Sequence, residues 1–233
     1  MSTLLLRIAA PMQAWGTDSK FDIRATEREP SKSGVIGLLA AALGFRREEK
    51  DKLAMLTNLR YGVRVDREGT LLHDFHMVHG EKSSYVTHRY YLCDAVFLVG
   101  LESDDDALLR NCAYALEHPV FPLFLGKRAC PPTLPLLLGV RECPLEEALR
   151  KEPALAESGE TALRIVTDAE KTAENAIVKR DEPVSFSQRK REYRFRKSKE
   201  TFVALQQPAG AAVTEHDAFG EVTGYDVSDT AGT

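Results

Sequence analysis

Two apolar runs limit what this chain can fold into more than any other feature. Residues 4–10 are hydrophobic except at Arg7, and residues 90–101 are hydrophobic almost without a break. Such strands are buried, and a long one of this kind belongs at the centre of a sheet. Helical signals lie between and beyond them. A small-residue helix is predicted from Ser31 or Ser33, either of which can cap it, to Leu43, with Gly44 at the left-handed position that ends it. Residues 48–59 predict an amphipathic helix with Leu53, Leu56 and Leu59 on one face. Residues 61–66 alternate as a strand, turn at Arg67-Glu68-Gly69 and return through 71–78, which reads as a hairpin.

Residues 79–88 are polar and read as a loop or excursion, and 90–101 as one long strand. Asp104-Asp105-Asp106 place acids at the positive end of a helix running to Glu117. Residues 118–140 are proline-rich and apolar, interrupted by Gly126-Lys127-Arg128, and 144–151 form a short helix. Strands are expected at 162–168 and 176–179, and a further strand or hairpin within 186–203. The order strand, helix, hairpin, strand, helix, strand predicts an α+β fold close to the ferredoxin-like arrangement. Residues 208–233, rich in Gly, Ala, Thr and acid, are expected to be a flexible tail.

Composition excludes several classes. No apolar run approaches a membrane span and the start lacks the pattern of a signal peptide, so a cytoplasmic protein with no membrane partner is expected. Cys93, Cys112, Cys130 and Cys143 are widely spaced without a CxxC pair, which argues against a zinc site or disulfide framework. The net charge of −4 misleads about partners. Residues 208–233 hold five acids and no Lys or Arg; without them 31 basic residues face 30 acidic ones. Within that remainder, residues 189–199 carry seven bases and one acid, and it is such clustering that recruits nucleic acid.

Individual motifs have competing readings. Neither Ser33-Gly34 nor Gly126-Lys127-Arg128 completes a P-loop. His73, His76 and His79 are three apart, which on a strand sets His76 on the face opposite the other two, and no carboxylate pair completes a metal site. No metal or other cofactor is expected. A metal-free ribonuclease could draw a base, an acid and a cation from His76, Tyr90 or Tyr91, and Lys127. The run 189–197 alternates cations with Tyr193 and Phe195, which suits either an RNA-contacting strand edge or a solvated face over two core aromatics. Trp15, the only tryptophan, could pack in the core or stack on a base.

Several segments together resemble one family. They are Pro11-Met12-Gln13-Ala14-Trp15-Gly16, Pro30-Ser31-Lys32-Ser33-Gly34-Val35-Ile36-Gly37-Leu38-Leu39, Asp74-Phe75-His76, Arg89-Tyr90-Tyr91-Leu92-Cys93-Asp94-Ala95, Pro122-Leu123-Phe124-Leu125-Gly126-Lys127-Arg128-Ala129-Cys130-Pro131 and Arg180-Asp181-Glu182-Pro183. In this order they are similar to the Cas-five family, the CasD-type subunits of type I-E CRISPR Cascade, over about residues 3–196. The resemblance implies a modified RRM-like, ferredoxin-like domain over residues 1–207 with a projecting β-hairpin thumb at about 73–89, although the stretch between His76 and His88 is short for one. It implies a structural subunit that holds the 5′ handle of the CRISPR RNA and caps the backbone of an antiviral surveillance complex. The implied partners are CRISPR RNA, the terminal CasC subunit, the large CasA subunit and, through the assembled complex, target DNA.

Type I-C relatives of the family cut repeat RNA, so a metal-independent endoribonuclease is the alternative to a non-enzymatic role. For RNA binding, Arg24, Arg28, Lys32, Lys127 and Arg128 are expected to neutralise phosphates, and Gly16, Gly34 and Gly126 to admit backbone donors. Gln13 is expected on base edges or 2′-hydroxyls and Trp15 and Tyr90 in stacking, with Ser33, His76 and Arg89 completing the set.

Overall fold

In the computed structural model the first apolar run forms strand β1 (Ser2–Ala9). Two short strands follow, β2 (Met12–Gln13) and β3 (Ile23–Arg24), and then helices α1 (Lys32–Ala42) and α2 (Lys50–Thr57). Strands β4 (Arg60–Arg67), β5 (Thr70–His79), β6 (Ser84–Cys93) and β7 (Val96–Ser103) lead to α3 (Asp106–Glu117) and β8 (Leu137–Arg141). The chain continues through α4 (Leu145–Lys151), β9 (Ala162–Asp168), β10 (Ile177–Ser185) and β11 (Glu192–Ala204). The structure describes residues 1–16, 22–80, 83–157, 162–170, 172–187 and 189–204. The tail expected at 208–233 lies outside them.

Seven strands form one antiparallel sheet in the order β10-β11-β9-β4-β7-β1-β8. Side-chain alternation assigns each residue of β1 to a face. Leu4, Leu6 and Ile8 enter the main core with α1 and α3, whereas Leu5 joins Leu98 and Ile165 beneath α4. Gly62 and Gly100 are cross-strand partners under α4, and a Cβ on Gly100 would lie 2.5 Å from Leu145 Cδ1. Bare backbone at that point lets the short helix seat against the sheet. The α+β class is observed; Ser31 caps α1 and Gly44 takes the left-handed conformation with φ of 74°, both as expected, and of the acids expected at the start of α3 it is Asp105 whose side chain caps the helix.

Two expectations about strands fail. Residues 90–101 are not one strand, because Asp94 adopts φ of 56° and divides them between β6 and β7, which lie in different sheets. The hairpin expected between 61–66 and 71–78 does not form either. Both edges of β4 are taken, by β7 and β9, whose apolar residues fill the core, while β5 is exposed along most of its length. β5 instead pairs with β6 from Thr70↔Cys93 to His79↔Ser84, so an antiparallel strand pair occupies much of the stretch read as a loop. The other edge of β6 carries β2, antiparallel, and β3, parallel. No helix among the described residues is long and apolar enough to cross a membrane.

Candidate nucleic-acid interface

An open trough of about 1720 Å³ runs between α1, the loop 121–128 and the β10–β11 region. Its volume exceeds what a drug-sized ligand fills. Among the described residues Arg24, Arg46, Arg47, Lys127, Arg128, Arg180 and Arg191 line it against a single acid, Glu48, with Phe121, Phe124, Phe186 and Tyr193 between them. Among the described residues Arg24, Arg46, Arg47, Arg128 and Arg191 have no carboxylate in ion-pair contact. Cations that a protein leaves uncompensated around one groove raise the local concentration of anions there.

The floor of the trough is built by the segments that stood out in the sequence, but several of their side chains are sealed. Trp15 is 2% exposed; its Nε1 donates to Gln13 Oε1 (3.0 Å), and Gln13 Nε2 donates to Ala95 O (2.7 Å). Gln13 is fully buried, so neither side chain is presented to bases, which corrects their expected roles. Both are satisfied internally, and undoing those bonds would leave buried polar groups unpaired. Gly34 is bare because the indole lies on it: a Cβ there would come 2.8 Å from Trp15 Cε3. Gly126 has φ of 85°, and a Cβ on it would fall 1.6 Å from Ala14 O, while Ala14 N donates to Leu125 O (3.1 Å). Its own N–H donates to Phe124 O, so this glycine joins two loops rather than offering a donor. Gly16 is exposed on the rim.

The start of α1 is likewise occupied. Gly34 N donates to Ser31 Oγ (3.3 Å), and Lys32 N donates to Asp181 Oδ2 (2.8 Å). A carboxylate already sits where a helix would attract an anion. Ser33 lines the trough but is 8% exposed, and Lys32, 5% exposed, turns inward to Asp168 (2.9 Å). The expectation that Lys32 meets phosphate is therefore corrected. Arg196 completes this buried set. It donates to Asp181 from Nε (2.6 Å) and Nη2 (2.9 Å), and to Asp168 from Nη1 (2.8 Å). Burial opposes its charge, but the hydrogen bonds and charges of Asp181 and then Asp168 outweigh that and raise its pKa. Two cations and two carboxylates thus tie α1 to β9, β10 and β11, and set the wall that carries Arg180.

A second cluster lies where β3 pairs with β6, which also carries β5. Arg24 on β3 and Arg89 on β6 are direct cross-strand partners, a like-charge arrangement that destabilises a sheet unless something compensates it. Lys127 Nζ lies 3.9 Å from the centroid of the Tyr91 ring, is shielded from solvent and has no hydrogen-bond partner among the described residues. Burial above all pushes its pKa below the ordinary 10.5; Cys130 opposes this, Arg89 and then Arg24 add to it, and Asp74 opposes it more weakly. Asp74 is the register partner of Arg89 and also meets His76 Nε2 at 2.7 Å.

Strand alternation puts Arg89, Asp74 and His76 on one face of the β5–β6 pair and Tyr90 on the other, where it stacks on His73 at 4.6 Å. The structure therefore separates Tyr90 from His76 and Arg89. Arg28 is exposed but does not line the trough. Arg46 and Arg47 were missed as site residues; their signal is a basic pair directly after the Gly44 helix stop. Arg180 and Arg191 lay in segments singled out without such a role. His73 and His79 share one face and His76 the other, and among the described residues no three His, Cys, Asp or Glu side chains gather as a metal site.

Comparison with known proteins adds an independent line. The model of a CRISPR-associated protein family, Cas5, matches residues 3–199. The CRISPR system Cascade subunit CasD of Escherichia coli (strain K12) is 36% identical over 152 residues, spanning 57% of this chain and 68% of that protein. A crystal structure of a Cas protein superposes with a TM-score of 0.69 at 40% identity, covering 87% of this chain and 95% of the other. A chain from a CRISPR RNA-guided surveillance complex gives a TM-score of 0.75 at 31% identity, covering 87% and 90%.

Proposed function

Because the chain belongs to the CRISPR-associated Cas5 family, we propose that it is a structural subunit of a Cascade-type, RNA-guided surveillance complex, supporting antiviral defence. In this reading its trough grips the 5′ handle of the CRISPR RNA. The observation that carries the RNA assignment is the set Arg24, Arg89 and Lys127: two like charges paired across strands beside a solvent-shielded ammonium without a hydrogen bond among the described residues. A phosphodiester between them would relieve the repulsion and supply the missing acceptor. The other trough cations extend the same chemistry along a backbone, releasing counterions as phosphates bind. Phosphate contacts fix register, while target sequence is read by guide pairing, so a rigid cradle is all this role requires.

The finer fold reading has support in the strand order. The run β8-β1-β7-β4, with α1 following β1 and α3 following β7, matches a ferredoxin-like, RRM-like core. The β5–β6 pair suits a thumb, with exposed Phe75 and Met77 for an adjoining backbone subunit of the CasC type. A large CasA-type subunit and, through the whole complex, target DNA complete the proposed partners. Residues 1–207 then act as the RNA-handle domain, in the cytoplasm.

The role assigned is binding without catalysis. Incubating the full chain with repeat RNA in EDTA tests this: RNA is expected to be bound and left intact. Site-specific cleavage abolished by His76→Ala or Lys127→Ala would replace the structural reading with an endoribonuclease.

A further inference from the structure

The trough absorbs only part of the basic-aromatic run 189–197. Arg191 and Tyr193 line it, but Phe195 does not. Nor is Phe195 a core residue, since it is 68% exposed within the stretch of β11 that pairs with β10. The pleat sets it on the same side of β11 as Tyr193, roughly 7 Å further along the strand.

A bulge ties this ring to the trough. The register of β10 against β11 passes from Lys179↔Arg196 to Glu182↔Arg194, so Arg180 and Asp181 together oppose Phe195 alone. An extra residue of this kind re-aims a side chain. Asp181 turns inward to Arg196 and the start of α1, while Arg180 turns to the ring, its Cζ 5.9 Å from the centroid of Phe195. That separation is within cation–π range. Arg180 also lines the trough, so the ring continues the same surface.

The neighbouring charges decide what the ring can receive. Arg191 and Arg194 are both exposed beside it on the chain. An apolar partner surface would cover Phe195 only by desolvating these cations. A nucleotide satisfies both features, with its base on the ring and its phosphate near a guanidinium.

Resting on the RNA reading of the trough, we infer that Phe195, with Arg180, is a stacking site for one unpaired nucleobase where the RNA passes from the trough onto the β10–β11 pair. Every base has a π face, so the site fixes the position of the strand without reading its sequence. The trough cations hold phosphates, and the ring adds a contact that salt does not screen.

The test uses the full chain and handle RNA, with Phe195→Ala, Phe195→Leu and Phe195→Trp. Phe195→Ala is expected to bind about 5- to 150-fold more weakly, the loss of one stacked base, with an unchanged salt slope. Phe195→Leu keeps an apolar side chain without a π face and should lose nearly as much; Phe195→Trp should keep the affinity. Handle RNAs carrying one abasic nucleotide at a time should reveal a position that costs the parent affinity but costs Phe195→Ala nothing further.

Undiminished binding by Phe195→Ala would overturn the inference and leave the RNA reading intact. Full affinity in Phe195→Leu would overturn it too, since apolar surface alone would then suffice. A shallower salt slope in Phe195→Ala would do the same, because the ring would be positioning a phosphate-binding cation, as would abasic costs equal in both chains at every position. Failure of the parent itself to bind handle RNA would remove the RNA reading of the trough, and the inference with it.

Discussion

Replacing Asp181 by alanine leaves buried charge without a partner, and the cost can be worked from the contacts. Asp181 accepts two hydrogen bonds from Arg196 and one from Lys32 N at the start of α1. The side chains of Arg196 and Asp181 are 5% and 4% exposed. Without Asp181, Arg196 and Lys32 share only Asp168, so the buried set carries one positive charge too many. Breaking a buried pair in this way costs on the order of 3–5 kcal/mol. Losing the contact at the helix start adds about 1 kcal/mol, and a domain has only about 5–15 kcal/mol in total. Urea unfolding should show a large fall in midpoint with little change in slope. Asp181→Asn keeps an acceptor and should lose less. Asp181→Ala combined with Arg196→Met restores neutrality around Lys32 and Asp168 and should be more stable than Asp181→Ala alone. A loss below about 1 kcal/mol for Asp181→Ala, or a double variant whose loss is the sum of the two singles, would refute this account of the network.

Other consequences follow from the trough. Trp15 should emit as a buried indole and change little when RNA is added; strong quenching would mean that it stacks on a base. Gly126→Ala should cost more than about 1 kcal/mol in urea unfolding, because a positive φ and the Ala14 carbonyl both oppose a side chain. Lys127 has its pKa lowered in the fold, so its charge opposes folding below that value, and the opposition fades as pH rises through it toward 10.5. RNA that pairs with the ammonium must then take up a proton, so affinity should begin to fall at a pH below that of an ordinary lysine. Lys127→Arg should move the decline upward; an identical profile in titrations between about pH 8 and pH 10 would exclude Lys127 from the contact.

Local chemistry was legible in the chain. Ser31 caps α1, Asp105 caps α3, and β9 spans the expected 162–168. The segments around Gln13, Gly34 and Lys127 also converge on one trough. What sequence could not decide was which way their side chains face. Trp15 has the same neighbours in the chain whether it stacks or packs, and only Gly34 lying under the ring settles it. Lys32 reads as a surface cation until Asp168, 136 positions away, and Asp181 fold over it. The strand break was hidden for a related reason: an apolar run continues around Asp94, and it is the left-handed backbone there that divides it between two sheets.

The central claim is that uncompensated cations in the trough hold the phosphates of the CRISPR RNA handle. The most direct measurement is handle-RNA affinity against salt concentration for the parent chain and for Arg24→Ala with Lys127→Ala. If each cation meets one phosphate, the double variant should bind more weakly and its log–log slope should be shallower by about 1.4, roughly 0.7 per contact on a single strand. An unchanged slope would contradict the claim, whatever the loss in affinity.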